Sequence, residues 1–286
     1  MNAQPSSAQP SVAVFAGGRF AWPVFLVWLP ATAGLGVVAA SAAVEGQSYF
    51  APLLLFPILV GIGLGATIVG LLRWLQMGNR PTVVLGTLLA VAVAVVGQHY
   101  FHYRHLLSVS QQQIDAMQHV AGAAVARELV APPSSFVDYM RQQAEHGRPL
   151  TRRHVLTGWA AWLSWSVDGL LTLAAALGMV LPAMWQPYCN TCRSWYRTIR
   201  AGRVPLAVAQ RLADVASATI ANPAPWIRYR LACCQGGCSP TRLELFWEAP
   251  HRRGHFAIEA WLDTEHRNQA MQALDGGGMR DEGSRL

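Results

Sequence analysis

Residues 51–75 read APLLLFPILVGIGLGATIVGLLRWL, and the one charged side chain in the whole stretch is Arg73. A helix needs about 20 mostly apolar residues to cross the ~30 Å hydrocarbon core of a bilayer, because every backbone N–H and C=O must be paired within the segment there. This stretch has that length and that lack of charge, so it reads as a membrane-spanning helix. Working outward, three further stretches qualify: about Trp22–Val44 before it, then Pro81 to about Phe101 and Gly158–Trp185 after it. Trp22, Trp28, Tyr49, Trp74, Tyr100, Tyr103, Trp159 and Trp185 sit near the edges of these spans, where amphipathic rings prefer the interface. Pro81 suits a helix start, while Pro30, Pro57 and Pro182 are expected to kink the spans that hold them.

Composition agrees. Of 286 residues 52% are hydrophobic and only 13% charged, against roughly 25% charged in a soluble domain. Between Ala21 and Phe101 the charged residues are Glu45, Arg73 and Arg80, whereas 13 of the arginines fall after residue 186. The expected fold is therefore a mainly α membrane protein with about four transmembrane helices, a helical hairpin loop and a small β-rich C-terminal domain. In segments, 1–20 is a disordered N-terminus, 21–103 the first three spans, 104–157 an extramembrane helical hairpin, 158–185 the fourth span, 186–275 the C-terminal domain and 276–286 a disordered tail. Met1–Val12 is polar and uncharged and the apolar run after Arg19 is too long for a signal peptide, so the first span is expected to stay as an anchor.

All 22 basic residues are arginine, which excludes chemistry on a protein lysine amine, such as a Schiff base or the phosphate-loop lysine. With the N-terminus inside, the inner side collects Arg19, Arg73, Arg80, Arg193, Arg197, Arg200 and Arg203, against Arg104, Arg141, Arg148, Arg152 and Arg153 outside. That count favours an inner-membrane protein with both termini cytoplasmic.

Within the spans, Gly61 and Gly65 form a GxxxG pair that lets another helix backbone approach closely, and intramolecular packing is the simpler use of it than dimerisation. Asp168 lies well inside the fourth span, where a bare carboxylate is costly. It reads either as a proton relay, a cation site or the partner of an arginine from another span, or as an uncharged acid hydrogen-bonded to Ser164 or Thr172, or as an acid left near the interface by a span that starts later. His99, His102 and His105, interleaved with tyrosines, read as an interfacial band rather than a metal or haem site. In the loop, Leu106–Val130 is expected to continue the third span as a helix as far as Pro132-Pro133. Ser134 and Ser135 then offer an N-cap to a short helix that stops at Gly147.

The cysteines all fall in the tail. Cys189-Asn190-Thr191-Cys192 is a CxxC directly after the fourth span, and Cys233-Cys234-Gln235-Gly236-Gly237-Cys238 follows some 40 residues later. Two close pairs parted by a longer insert suit a tetrahedral four-thiolate site, because each pair makes a tight turn that aims two sulfurs at one ion. Ile227, Tyr229 and Leu231 alternate with arginines into the second pair, and Leu243, Leu245 and Trp247 alternate with charged residues out of it, so these cysteines are placed at a hairpin tip. Phe256–Leu262 alternates again as a third strand before a helix over Thr264–Leu274, and Pro205–Ile220 reads as an amphipathic helix ended by Asn222-Pro223.

Over Tyr188–Leu262 this pattern resembles a zinc ribbon, in which two cysteine knuckles clamp one ion. It is also similar to uncharacterised bacterial membrane proteins that carry such a ribbon behind their last span, a likeness that implies no activity. The first knuckle matches; the second lacks the usual two-residue gap and the inserted helix is long. The resemblance implies structural zinc on Cys189, Cys192, Cys234 and Cys238, with Cys233 as the alternative to Cys234 and His251 and His255 in reserve. Against it stand a thiol-disulfide site at Cys189 and Cys192, structural disulfides and a ribbon that has lost its metal. No nucleophile–base pair, phosphate loop or dinucleotide fingerprint occurs, so the reading leans away from an enzyme. It favours a membrane-anchored adaptor or assembly factor that meets the lipid bilayer and a protein partner. A small transporter or channel subunit using Asp168 and a membrane thiol oxidoreductase are the alternatives. Nucleic acid is disfavoured because stacking aromatics are few, and a homo-oligomer stays open.

Overall fold

The structure is a computed structural model, and it describes residues 18, 20–49, 54–122, 125, 130–151, 154–220, 224–237, 240–248 and 255–276. The chain divides into two compact units, Phe20–Trp185 and the segment from Gln186 onward.

In the first unit, four helices are long and apolar enough to cross a membrane: α1 (Trp22–Tyr49), α2 (Leu55–Trp74), α3 (Arg80–Ala121) and α5 (Trp159–Met184). Apart from the polar second half of α3 they are largely apolar on every side, and the outward sides are bare: Leu26, Val38, Leu163 and Leu170 are all more than half exposed. A soluble protein does not leave such runs in water, so lipid is the solvent that these surfaces match. α1 packs along α3, and α2 along α5. The second contact is set by the GxxxG pair. A methyl at Gly65 would lie 2.8 Å from the Ala176 carbonyl oxygen, and one at Gly61 would run into the Thr172 carbonyl. Two helix backbones therefore touch where those side chains are missing, and the motif serves packing within the chain. In the other pair, Trp28 is fully buried and its indole N–H donates to the Thr82 carbonyl at 3.0 Å. α1 and α5 run through Pro30 and Pro182 without interruption, and Pro57 lies in the first turn of α2.

α3 starts as the sequence suggests, with Pro81 in its first turn and the Asn79 side chain accepting from the Thr82 N–H at 3.1 Å. At ~1.5 Å per residue it is far longer than a bilayer core. It continues out of the apolar region as expected and ends at Gly122, where φ is +84°; Val125 is again helical, and 123–124 and 126–129 of the stretch expected to reach Val130 lie outside the described residues. Next comes α4 (Phe136–His146), capped by Ser135, which accepts from the Asp138 N–H at 3.1 Å, and closed by Gly147. A feature absent from the sequence reading follows: strands β1 (Arg148–Thr151) and β2 (His154–Leu156) form a small antiparallel hairpin that leads into α5. Tyr100 and Tyr103 of α3 pack against Phe136 and Tyr139, holding α4 to the long helix.

The second unit opens with a two-residue pair, β3 (Tyr188–Cys189) and β4 (Ser194–Trp195). Its body is an antiparallel meander in the order β5 (Arg197–Pro205), β6 (Trp226–Cys233), β7 (Thr241–Glu248), β8 (His255–Leu262). α6 (Leu206–Val215) and α7 (Thr264–Asp275) supply its helices. Leu231 sits opposite Leu243, and Leu245 opposite Ile258. With Val204, Ile227, Leu212 and Leu274 they make one buried core between sheet and helices. Period-2 alternation puts Trp226, Arg228 and Arg230 on the opposite, exposed face. The sheet thus has four strands rather than the three read from sequence, and α6 stops five residues before Ile220.

Candidate metal centre

The β3–β4 pair exists because Tyr188 and Trp195 face each other across it, their rings meeting edge to face at 5.1 Å. This pinches the CxxC into a knuckle, with Cys189 on the strand and Cys192 in the turn. The second knuckle is the β6–β7 connection. Cys233 ends β6, Cys234 follows, and a tight turn closes with the Gly237 N–H donating to the Cys234 carbonyl at 3.0 Å. Gly237 has φ +60°, a conformation that costs glycine nothing and most residues a good deal.

The two knuckles converge. The sulfurs of Cys189, Cys192 and Cys234 all lie within 4.8 Å of one another, with Cys189 and Cys234 buried to 1% exposure. Among the described residues this is the one group of three or more potential ligands that could hold a metal ion. Tetrahedral zinc with Zn–S bonds of about 2.3 Å places its sulfurs roughly 3.8 Å apart, a spacing that falls inside the 4.8 Å bounding this cluster. Of the two alternatives Cys233 and Cys234, it is the Cys234 sulfur that stands in this group. The Cys233 thiol lies outside the group, and burial, assisted by the neighbouring Cys234, pushes its pKa up. Cys238 and His251 lie outside the described residues, and His255 begins β8.

One participant was missed in the sequence. The Ser194 hydroxyl lies 3.0 Å from the Cys192 sulfur and accepts from the Gln235 N–H at 3.2 Å, which ties the first knuckle to the second. Tyr196 adds a further tie: its hydroxyl donates to the Pro240 carbonyl at 2.8 Å and its ring meets Trp261 edge to face. The sulfurs are thus framed by Tyr196, Ala232 and Trp261, a small apolar shell that restricts water. Only the distance of two residues from Cys192 could have pointed to Ser194.

Asp168 does meet an arginine, but one from outside the spans. Its carboxylate accepts from the Arg148 guanidinium at 2.5 Å, and the same Nη1 donates to Ser164 at 2.8 Å. The partner arginine therefore comes from the β1 hairpin and not from another span. Thr172 accompanies this site by donating to the carbonyls of Pro57 and Asp168 and not to the carboxylate. Of the histidine band, His102 pairs with Gln47 at 3.0 Å, and His99 meets the Trp165 ring at 5.4 Å. Set against known proteins, the chain matches no family model, no curated protein and no solved structure.

Proposed function

We propose that this is a membrane-anchored adaptor or assembly factor whose C-terminal module is a zinc-ribbon-like interaction domain stapled by one structural ion. The observation that carries the reading is the meeting of thiols from two separate hairpins, Cys189 and Cys192 with Cys234. A fourth ligand, for which Cys238 is the sequence's own choice, would close the site. A closed thiolate site stabilises a fold instead of activating water, and so supports a binding role rather than a hydrolytic one. The arginine distribution supports a cytoplasmic module behind an inner-membrane anchor, a reducing compartment where thiolates persist.

The exposed sheet face supplies the docking surface. Arg203 pairs in register with Arg228, and Trp226 and Phe246 flank them, over a broad depression that Arg230 also lines. Among the described residues no carboxylate lies within ion-pair distance of Arg203 or Arg228. Two cations held side by side next to exposed aromatic rings suit an acidic protein segment that carries apolar anchors. A thiol oxidoreductase has less support, since Cys189 is buried and a third sulfur stands with the pair. A carrier acting through a lone Asp168 also has less support, because Arg148 already engages that carboxylate.

The test is metal analysis of the full chain purified in detergent without added metal. One zinc per chain is expected, with loss on Cys189→Ser or Cys234→Ser. A metal-free chain with two freely alkylated thiols at Cys189 and Cys192 would put the oxidoreductase in its place.

A further inference from the structure

The membrane unit contains a cavity of about 340 Å³ that none of the readings above uses. It lies where α1 ends and α2 begins, between α3 and α5, and α4 with the β1 strand forms its roof. Its polar lining includes Gln47, Gln98, His99, Gln143, Arg148 and Asp168. Phe56, Val60 and Trp165 supply an apolar wall. The volume is at the lower end of the roughly 300–1,000 Å³ of ligand pockets, and a few convergent polar groups on an apolar wall are what such pockets share.

The charges determine what would fit. Arg148 and Asp168 are one cation and one anion, on different elements, meeting through a single Nη1–Oδ2 contact. Among the described residues, that contact and the one to Ser164 are the only polar partners of either side chain. The second carboxylate oxygen and the remaining guanidinium N–H groups have no such partner among the described residues, and both side chains line the cavity. A bare anion or a bare cation entering here adds a net charge to a partly buried site whose own two charges already offset each other, and brings no counter-ion to offset its desolvation. A zwitterion adds none. Its ammonium can donate to Asp168 while its oxyanion accepts from Arg148, and the amides of Gln98 and Gln143 can serve its remaining polar atoms.

We propose that this cavity binds a small zwitterion carrying a primary ammonium and an oxyanion a few bonds apart. A free amino acid and the phosphoethanolamine headgroup of a lipid share this chemistry. The Arg148–Asp168 pair is its recognition element.

The experiment is isothermal titration of the full chain in detergent. The probes are L-alanine, L-glutamine and glycerophosphoethanolamine, with acetate and methylammonium as single-charge controls. Saturable binding of at least one zwitterion is expected, at least tenfold tighter than either control. Binding by the amino acids but not by glycerophosphoethanolamine assigns the site to a free solute, and the reverse assigns it to a lipid headgroup. Arg148→Gln and Asp168→Asn should each abolish binding. Because either could loosen the roof, Gly169→Leu serves as a second probe. Gly169 lines the cavity and a Cβ there stands 3.7 Å from Val95, an ordinary contact, so a leucine is a way to occupy the space without replacing either charged group. It too should abolish binding. The proposal is overturned if no zwitterion binds, if acetate or methylammonium binds as well as the zwitterions, or if Gly169→Leu binds like the parent chain.

Discussion

In the membrane unit Leu26 is 65% exposed and in the tail Leu243 is wholly buried. One side chain thus serves two solvents. In the tail, water drives Leu231, Leu243 and Leu245 together, and burying each is worth about 1.5–3 kcal/mol. In lipid that force is absent, because a leucine gains nothing by leaving hydrocarbon. Cohesion there must come from close contact, and so it is Gly61 and Gly65 that meet α5. The tail excludes its solvent and the membrane unit fits surface to surface. The tail also has an added device that the spans lack, a thiol cluster that a metal would staple.

The largest test of this contrast is to remove the staple. Structural zinc contributes about 10–16 kcal/mol in small metal-folded peptides, more than a domain of this size has in reserve. Chelation of the full chain, or Cys234→Ser, should therefore make the tail from Gln186 onward protease-sensitive while circular dichroism still reports the membrane helices. Equal protection of the tail with and without chelator would remove the ion from the account.

Next in size is the same substitution made in both solvents. Leu243→Ala should cost about 2–5 kcal/mol, as core truncations do, and Leu26→Ala less than about 0.5 kcal/mol, as exposed positions do. Thermal unfolding followed by exchange at peptides of each unit separates the two. A comparable loss at Leu26 would mean that its exposed side is covered by protein and not by lipid.

Gly65→Leu tests the surface fit. Overfilled contacts typically cost about 1–3 kcal/mol, here at the α2–α5 seam. Gly63→Ala on the same helix meets nothing within 4 Å and should be neutral. The measurement is thermal aggregation of each variant in detergent.

The smallest effect is an acid one. The backbone N–H of His266 and then its ring hold the Asp263 carboxyl below the usual carboxylate range, at the N-cap of α7. A folded-state pKa below the unfolded one gives stabilisation that is complete above the ordinary value of about 3.9 and is lost as pH falls through the folded value. Protection of the first-turn amides of α7, taken relative to their intrinsic exchange rates, should therefore fall at the acid end. Asp263→Ala should exchange faster at neutral pH and show a flatter acid response.

What could be read from sequence followed from the strength of each local signal. The four spans are long apolar runs, and hydropathy alone marks them. The second knuckle was placed at a hairpin tip because Ile227–Leu231 and Leu243–Trp247 alternate with period two. β5 escaped because it is an edge strand. Apart from Val204 its side chains are exposed or half-buried, so Arg197–Arg203 shows no alternation to read. The β1 hairpin is only a few residues long and leaves no pattern. The Arg148–Asp168 pair joins a short strand to a helix, a meeting that the topology creates and no local rule anticipates. The thiol cluster was legible because cysteine is scarce and spacing constrains it. That Cys234 and not Cys233 belongs to it depends on which sulfur points inward after β6, a matter of strand twist.

The glycine seam between α2 and α5 has a consequence for biogenesis. Gly65 and its neighbour Ala176 are more than a hundred residues apart in the chain, and ribosomes add roughly 5–20 residues per second. The nascent second helix therefore waits several seconds in the bilayer with its groove uncovered. A groove that admits another backbone accepts any small-residue helix passing by, including the same helix of a sister polypeptide. Overproduction shortens the distance between sisters, so tangled pairs are the expected failure of heavy expression, and slower synthesis or fewer transcripts the remedy.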